Sequence, residues 1–120
     1  MAVLFTDAGG DPGTGFFICV ATASDVLAAV PTVAQNINEA ELNAIALALH
    51  FAEDEQGTIF NDSTSAVAMA RGRGLRGGAG TERGKAIAER LPPGWSIHWV
   101  PRKYNRAHVG VQQIRQRFTS

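Results

Sequence analysis

The chain has 120 residues and no net charge at pH 7, is 45% hydrophobic and 18% charged, and contains one cysteine. That length can bury a core without disulfides or structural metal, and the composition excludes a largely disordered chain. No apolar run reaches the roughly 18 residues of a membrane span. Zero net charge conceals a segregation. The first 70 residues hold nine acids and no Lys or Arg, a charge of −9, whereas the remainder, with eleven bases against Glu82 and Glu89, carries +9. Such a split suits an anionic partner on one side and cation-binding carboxylates on the other, or two halves that neutralise each other across the fold. Met1 to Thr6 is apolar but has no basic leader, so the expectation is a cytoplasmic, monomeric protein with a single domain over 1–120. Cys19 sits between Ile18 and Val20, which reads as a buried thiol without a disulfide, redox or zinc partner.

In chain order, residues 2–7 and 15–21 read as strands joined by the turn-rich Gly9, Gly10, Asp11, Pro12 and Gly13. Residues 26–30 form a third strand, ended by Pro31 on a sheet edge, so the chain opens as an antiparallel meander. Asn38 caps a helix with Glu41 three residues on, and Leu42, Ile45, Ala46 and Leu49 at i, i+3, i+4, i+7 bury one face of it, to about Glu53. Residues 58–61 return to strand and end in Asp62, a crossover that favours parallel pairing with an earlier strand. Residues 63–70 suit a short helix. Residues 72–80, with five glycines and two arginines, suit a basic loop. Thr81 caps a helix carrying Gly84, Ile87, Ala88 and Leu91, stopped by Pro92-Pro93-Gly94. Residues 95–100 alternate as a half-buried strand. Asn105 then caps a last helix with the stripe Ala107, Val111, Ile114 and Phe118.

Asp7 and Asp62 each end an apolar strand. If those strands are parallel neighbours, both carboxylates stand at the sheet's carboxyl edge, where α/β sites lie. Glu41, on the flank of the first helix's buried face, can point toward them. Three converging acids repel one another, and a hard divalent cation among their oxygens, Mg²⁺ or Mn²⁺, relieves the repulsion. Taken singly, Glu41 is also a capping-box residue, Asp7 a turn starter and Asp62 a helix cap.

In this order and spacing, Phe5-Thr6-Asp7-Ala8-Gly9, Asn38-Glu39-Ala40-Glu41-Leu42, Ile59-Phe60-Asn61-Asp62-Ser63, and Trp99-Val100-Pro101-Arg102 followed by Asn105 resemble type 1 ribonuclease H, in its compact archaeal and bacterial form. The resemblance covers nearly the whole chain. It implies an α/β ribonuclease H-like fold: a five-stranded mixed sheet, its first three strands antiparallel and its last two parallel, flanked by helices. It implies that Asp7, Glu41 and Asp62 hold metal for hydrolysis of the RNA strand of an RNA–DNA hybrid, read through 2′-OH contacts in a shallow minor groove. Gly9 and Gly10 would let backbone approach that strand, or simply permit a turn. Asn38, Thr64 and Asn105 would face substrate. Arg102, Lys103 and Arg106 would hold phosphates, or form a solvated basic face.

Two features depart from the family. Its last helix carries a fourth acid after an Asn and an Ala, but here no Asp or Glu follows Glu89. Aligned by the Asn, Val109 takes that position; aligned by the Ala, and supported by the helix stripe, His108 does. Resolvases of the same superfamily can use a His there, which makes His108 a candidate metal ligand, against an ordinary helix-face histidine. There is also no basic helix-and-loop protrusion, so grip on the substrate falls to residues 72–80 or 102–106. His50 and His98 have no partner by spacing. A divalent-metal endonuclease acting on hybrids is the leading reading. The alternatives are a catalytically weakened nucleic-acid-binding module and a structure-selective DNA nuclease of the resolvase type.

Overall fold

The computed structural model describes residues 2–73 and 79–119, with backbone alone at 79–80 and 117–119. Its elements are β1 (Ala2–Asp11), β2 (Phe16–Thr22), β3 (Val26–Val33), α1 (Ile37–Leu49), β4 (Gly57–Asn61), α2 (Thr64–Ala70), α3 (Ala79–Arg90), β5 (Trp95–Trp99), a 3₁₀ turn (Arg102–Tyr104) and α4 (Arg106–Thr119). The sheet order is β3-β2-β1-β4-β5. β1, β2 and β3 are antiparallel, and β4 lies parallel to both β1 and β5. The expected five-stranded mixed sheet is therefore present, with the crossover through α1 placing β4 beside β1.

Strand alternation divides the core between two faces. Leu4, Ala21, Ile59 and Ile97 pack with Leu42, Ile45 and Ala48 of α1, Ala66 and Val67 of α2 and Ile87 of α3. On the opposite face Val20 packs with Ala107 and Val111 of α4, beside Phe5, Ile18 and Ile114. Three of the four residues expected in the α4 stripe thus reach the core; the side chain of Phe118 lies outside the described residues. Phe5 and Phe60 stack at 5.4 Å between centroids, and Arg106 covers the Phe5 ring at 5.6 Å.

Several boundaries differ from the sequence expectation. β1 does not turn at Gly9 but continues to Asp11, because Gly9 and Gly10 pair with Ile18 and Phe17. A side chain at Gly9 would put its Cβ 2.6 Å from Val111 Cγ1, so this glycine seats α4 on the sheet rather than making a turn. The turn follows at Asp11, whose Oδ1 accepts from the Gly13 N–H at 2.8 Å, and closes on Gly15 at φ +77°. Pro31 lies inside β3, opposite Ile18, which an edge strand tolerates because its outer side needs no ladder bond. The α1 N-cap is Asn36, not Asn38, and the helix ends at Leu49 rather than near Glu53. Asn36 Oδ1 accepts from the Glu39 N–H at 2.9 Å, and Glu39 Oε1 accepts from the Gln35 N–H at 3.3 Å. Capping thus falls to Glu39, which leaves Glu41 free of it. α3 starts at Ala79, ahead of the expected cap Thr81. The basic loop expected over 72–80 lies mostly outside the described residues.

The two sheet edges are unlike. On β5, Arg71 Nε donates to the Ile97 carbonyl at 2.8 Å and Nη2 lies 2.7 Å from His98 Nδ1. On β3, Val26, Leu27, Val30 and Val33 are exposed, and the strand carries no charge. Cys19 is buried with its Sγ 3.4 Å from the Ala40 carbonyl, and burial pushes its thiol pKa up to about 12, as expected of an inert thiol.

Candidate metal centre

β1 and β4 pair in register with Thr6 opposite Asn61, so Asp7 and Asp62 both emerge one residue beyond, at the carboxyl edge of the parallel pair. Neighbouring strand residues point to opposite faces. Thr6 turns toward α1, where its hydroxyl donates to the Phe60 carbonyl at 2.8 Å, while Asp7 turns toward α4. There His108 Nδ1 lies 2.9 Å from Asp7 Oδ2. One ligand atom from each of Asp7, Asp62 and His108 can be chosen within 4.8 Å of the others. Glu41 approaches from the α1 side and is buried along with Asp7.

Two buried amides tie this edge together, and sequence reasoning missed one of them. Asn61 Nδ2 faces Thr6 Oγ1 at 3.0 Å, the Thr6 carbonyl at 3.3 Å and Glu41 Oε1 at 3.4 Å, while its Oδ1 accepts from the Ser63 N–H at 2.8 Å. A polar residue at an inward position of a strand that otherwise buries Gly57 and Ile59 was the available signal. Asn105 Nδ2 donates to the Thr6 carbonyl at 2.9 Å and to Asp62 Oδ2 at 3.1 Å, and its Oδ1 caps α4 through the Ala107 N–H at 3.1 Å. Asp62 itself caps nothing; Ser63 is the N-cap of α2, accepting from the Ala66 N–H.

The electrostatics are those of buried carboxylates whose hydrogen bonds only partly offset burial and mutual repulsion. Burial, then the charges of Asp7 and Asp62, push the Glu41 carboxyl up to about 9, against a lowering hydrogen bond from Asn61. The Asp7 carboxyl is also raised, by burial and then by Asp62, while the His108 hydrogen bond opposes the rise. Asp7, Asp62 and His108, two carboxylates and an imidazole, form a donor set that fits a divalent cation, while Glu41 stands outside the group that converges within 4.8 Å.

The remaining expected residues divide into three groups. Arg102 is exposed with its Nε 4.0 Å from Asp62 Oδ2, beside the acids, whereas Lys103 lies over the Tyr104 ring at 5.1 Å and Arg106 is exposed over the Phe5 ring. Asn38 is half-buried in the first turn of α1, and Thr64 is exposed at the start of α2. Gly9, Gly10 and Asn105, expected at the substrate, each have a structural role as well. Gly9 lies under α4, a Cβ at Gly10 would come 2.3 Å from the Phe16 carbonyl, and Asn105 is buried with its amide engaged on both sides. His98 is held by Arg71 on one nitrogen and Ser96 on the other, away from the acids, and His50 is exposed at the end of α1. Trp99, at the end of β5, is half exposed and donates its indole N–H to the Asp62 carbonyl at 3.1 Å.

No family model matches this sequence, and no curated protein matches it either. Solved structures do resemble it. The LC11 RNase H1 obtained from compost by a metagenomic approach superposes with a TM-score of 0.70 at 18% identity, covering 98% of this chain and 97% of that one. A second structure of LC11 RNase H1, in complex with an RNA/DNA hybrid, gives 0.65 at 18% identity, over 92% and 93%. The N-terminal RNase H domain of Rv2228c from Mycobacterium tuberculosis, solved as a fusion with maltose-binding protein, gives 0.67 at 20% identity, over 92% and 94%. RNase H1 of Halobacterium salinarum gives 0.66 at 17% identity, with 92% of each chain covered. Among the described residues no helix is long and apolar enough to cross a membrane. With the strand order, the α1 crossover and the acids at one sheet edge, these similarities establish that the chain has the fold of type 1 ribonuclease H.

Proposed function

We propose that this protein is a single-domain, divalent-metal-dependent endonuclease that hydrolyses the RNA strand of RNA–DNA hybrids. The observation that carries the reading is the convergence of Asp7, Asp62 and His108 within 4.8 Å at the carboxyl edge of β1 and β4, beside the buried Glu41. Asp7, Glu41, Asp62 and His108 would hold Mg²⁺ or Mn²⁺. When bound, such ions supply an activated water and stabilise the leaving oxygen of the phosphodiester. Asn105 and Asn61 fix the orientation of Asp62 and Glu41 from beneath. Arg102, Lys103 and Arg106 provide the cationic rim on which a polyanion's phosphates can rest, with Asn38 and Thr64 offering polar contacts beside the site. The hybrid bound to LC11 RNase H1 supports the choice of substrate class.

The test is strand-resolved cleavage of RNA–DNA hybrid, double-stranded RNA and branched DNA, each with Mg²⁺, Mn²⁺ or EDTA. Cutting confined to the RNA strand of the hybrid and abolished by EDTA is the expected result. Binding of hybrid without cleavage in either metal would replace the reading with a nucleic-acid-binding module. Preferential cutting of branched DNA would favour a resolvase-type nuclease, the second reading that the imidazole of His108 supports.

A further inference from the structure

β5 carries a tryptophan at each end, and each indole N–H donates to the backbone carbonyl of an aspartate, Trp95 to Asp54 at 2.9 Å and Trp99 to Asp62 at 3.1 Å. Alternation puts Trp95, Ile97 and Trp99 on one side of the strand. Trp95 and Ile97 are buried in the core with residues of α1, α2 and α3, at 6% and 2% exposure, whereas Trp99 is 48% exposed and stands outside that core. Core packing therefore accounts for Trp95 but not for Trp99. What Trp99 has instead is a hydrogen bond to the backbone of a candidate metal ligand.

Asp62 lies between two regular elements. The pairing of β4 with β5 ends at Asn61 and Trp99, with the Val100 N–H donating to the Asn61 carbonyl at 3.0 Å, and α2 begins at Thr64. Among the described residues Asp62 makes no hydrogen bond from backbone to backbone, so side chains set its position. Three contacts do so from three directions. Asn61 Oδ1 accepts from the Ser63 N–H at 2.8 Å and closes an Asx turn around Asp62, Asn105 Nδ2 donates to Asp62 Oδ2 at 3.1 Å, and Trp99 holds the carbonyl. The Asn105 amide fixes where the carboxylate points, and the Trp99 indole fixes the backbone that carries it. Water can replace the indole as a donor to this carbonyl, so its loss strands no acceptor. Water cannot replace a donor held in place by a strand.

We propose that Trp99 is a positioning residue of the metal centre, whose indole N–H locks the Asp62 backbone so that the carboxylate meets a cation together with Asp7 and His108. The inference rests on the reading of Asp7, Asp62 and His108 as metal ligands, and the experiment separates the two.

The test is Trp99→Phe, which keeps an aromatic ring and removes the donor, beside Trp95→Phe, which removes the matching bond to Asp54 at the other end of the strand. Mn²⁺ affinity is measured without substrate by electron paramagnetic resonance of the free ion, and thermal unfolding in EDTA reports the fold. Trp99→Phe should weaken Mn²⁺ binding by about tenfold, the lower end of the range for groups that orient metal ligands, with its unfolding transition in EDTA unchanged. Trp95→Phe should unfold at lower temperature and bind Mn²⁺ as the wild type does. In ¹H–¹⁵N spectra of the wild type, Mg²⁺ should shift the indole N–H signal of Trp99, identified by its loss in Trp99→Phe, and leave that of Trp95 in place; Asp62→Asn should abolish the shift. With hybrid at subsaturating metal, kcat should fall in Trp99→Phe and KM should not change. Wild-type Mn²⁺ affinity in Trp99→Phe would overturn the proposal, and a raised KM alone would assign the exposed ring to stacking on a base instead. An equal loss of affinity in Trp95→Phe would overturn it too, as an effect of packing. A wild type that binds neither ion would defeat the metal reading itself, and the proposal with it. Should Trp99→Phe fail to fold, the wild-type indole shift and its loss in Asp62→Asn decide alone.

Discussion

His108 Nδ1 and Asp7 Oδ2 meet at 2.9 Å across 101 residues of chain, joining the last helix to the first strand at the carboxylate edge. The bond exists because Gly9 lets α4 lie close on β1 and because the α4 stripe turns His108 toward the acids. It also lowers the Asp7 carboxyl against the raising effects of burial and of Asp62, so His108 holds charge on Asp7 as well as offering a nitrogen of its own.

His108→Ala removes both contributions and is expected to lower hybrid cleavage by roughly 10–100-fold with either metal, the range seen when a ligand or its support is lost. His108→Asp should favour Mg²⁺ over Mn²⁺ relative to wild type, since it restores a negative oxygen donor in place of a nitrogen. Single-turnover rates in the two metals check both statements. Equal rates for wild type and His108→Ala would leave His108 an ordinary helix-face residue.

Asp62→Asn is expected to abolish cleavage while preserving fold and hybrid binding, because the amide keeps the size and loses the charge. Asp7→Asn should behave likewise. Asp11→Asn should cleave normally, because Asp11 serves the hairpin turn, where the amide oxygen can still accept from Gly13. Cleavage assays alongside thermal unfolding separate lost chemistry from lost structure.

The buried acids predict how the metal-free protein responds to pH. The Glu41 carboxyl moves from an ordinary 4.5 to about 9 on folding, so across that interval the folded state keeps a proton that the unfolded state releases. Stability should therefore fall as pH rises from about 4.5 toward 9, and the raised Asp7 carboxyl adds in the same direction. Glu41→Gln, which keeps an acceptor for Asn61, should flatten this dependence and raise the melting temperature in EDTA near neutral pH by several degrees. Melting curves against pH, with EDTA and with Mn²⁺, are the measurement. A metal-free protein that gains stability over this interval would contradict the burial of Glu41 as an acid only partly compensated.

Substrate grip should be electrostatic. Arg102→Ala/Lys103→Ala is expected to weaken binding of hybrids of any sequence and to reduce the slope of log K against log salt by about 0.7–0.9 per lost phosphate contact. An unchanged slope would show that the rim does not touch phosphate.

Asp7, Glu41 and Asp62 were legible in sequence because a charged residue at the end of an apolar strand, or on the flank of an amphipathic helix, has few places to go except the sheet edge. The roles of Asn61 and Asn105 were not legible in the same way. Their amides act on groups 20 to 99 residues distant, and local pattern assigns them only to a strand end and a helix cap. The misplaced cap of α1 has a related cause: Asn36 and Asn38 are both good caps, each with a Glu three residues on, and only the burial of Glu41 distinguishes them. Gly9 and Gly10 read as a turn because glycine marks turns and close packing alike, and α4, which requires the packing, arrives about 100 residues later.

The unequal edges of the sheet bear on how the protein behaves when concentrated. At β5 a guanidinium occupies a carbonyl that another strand would need, whereas β3 offers eight residues without a charge and with several exposed β-branched side chains. Only Pro31 interrupts that row, by withholding one amide hydrogen. Crowding is therefore expected to act asymmetrically, with any adhesion between molecules favoured along β3, on the far side of β2 and β1 from β4, rather than at the carboxylate edge.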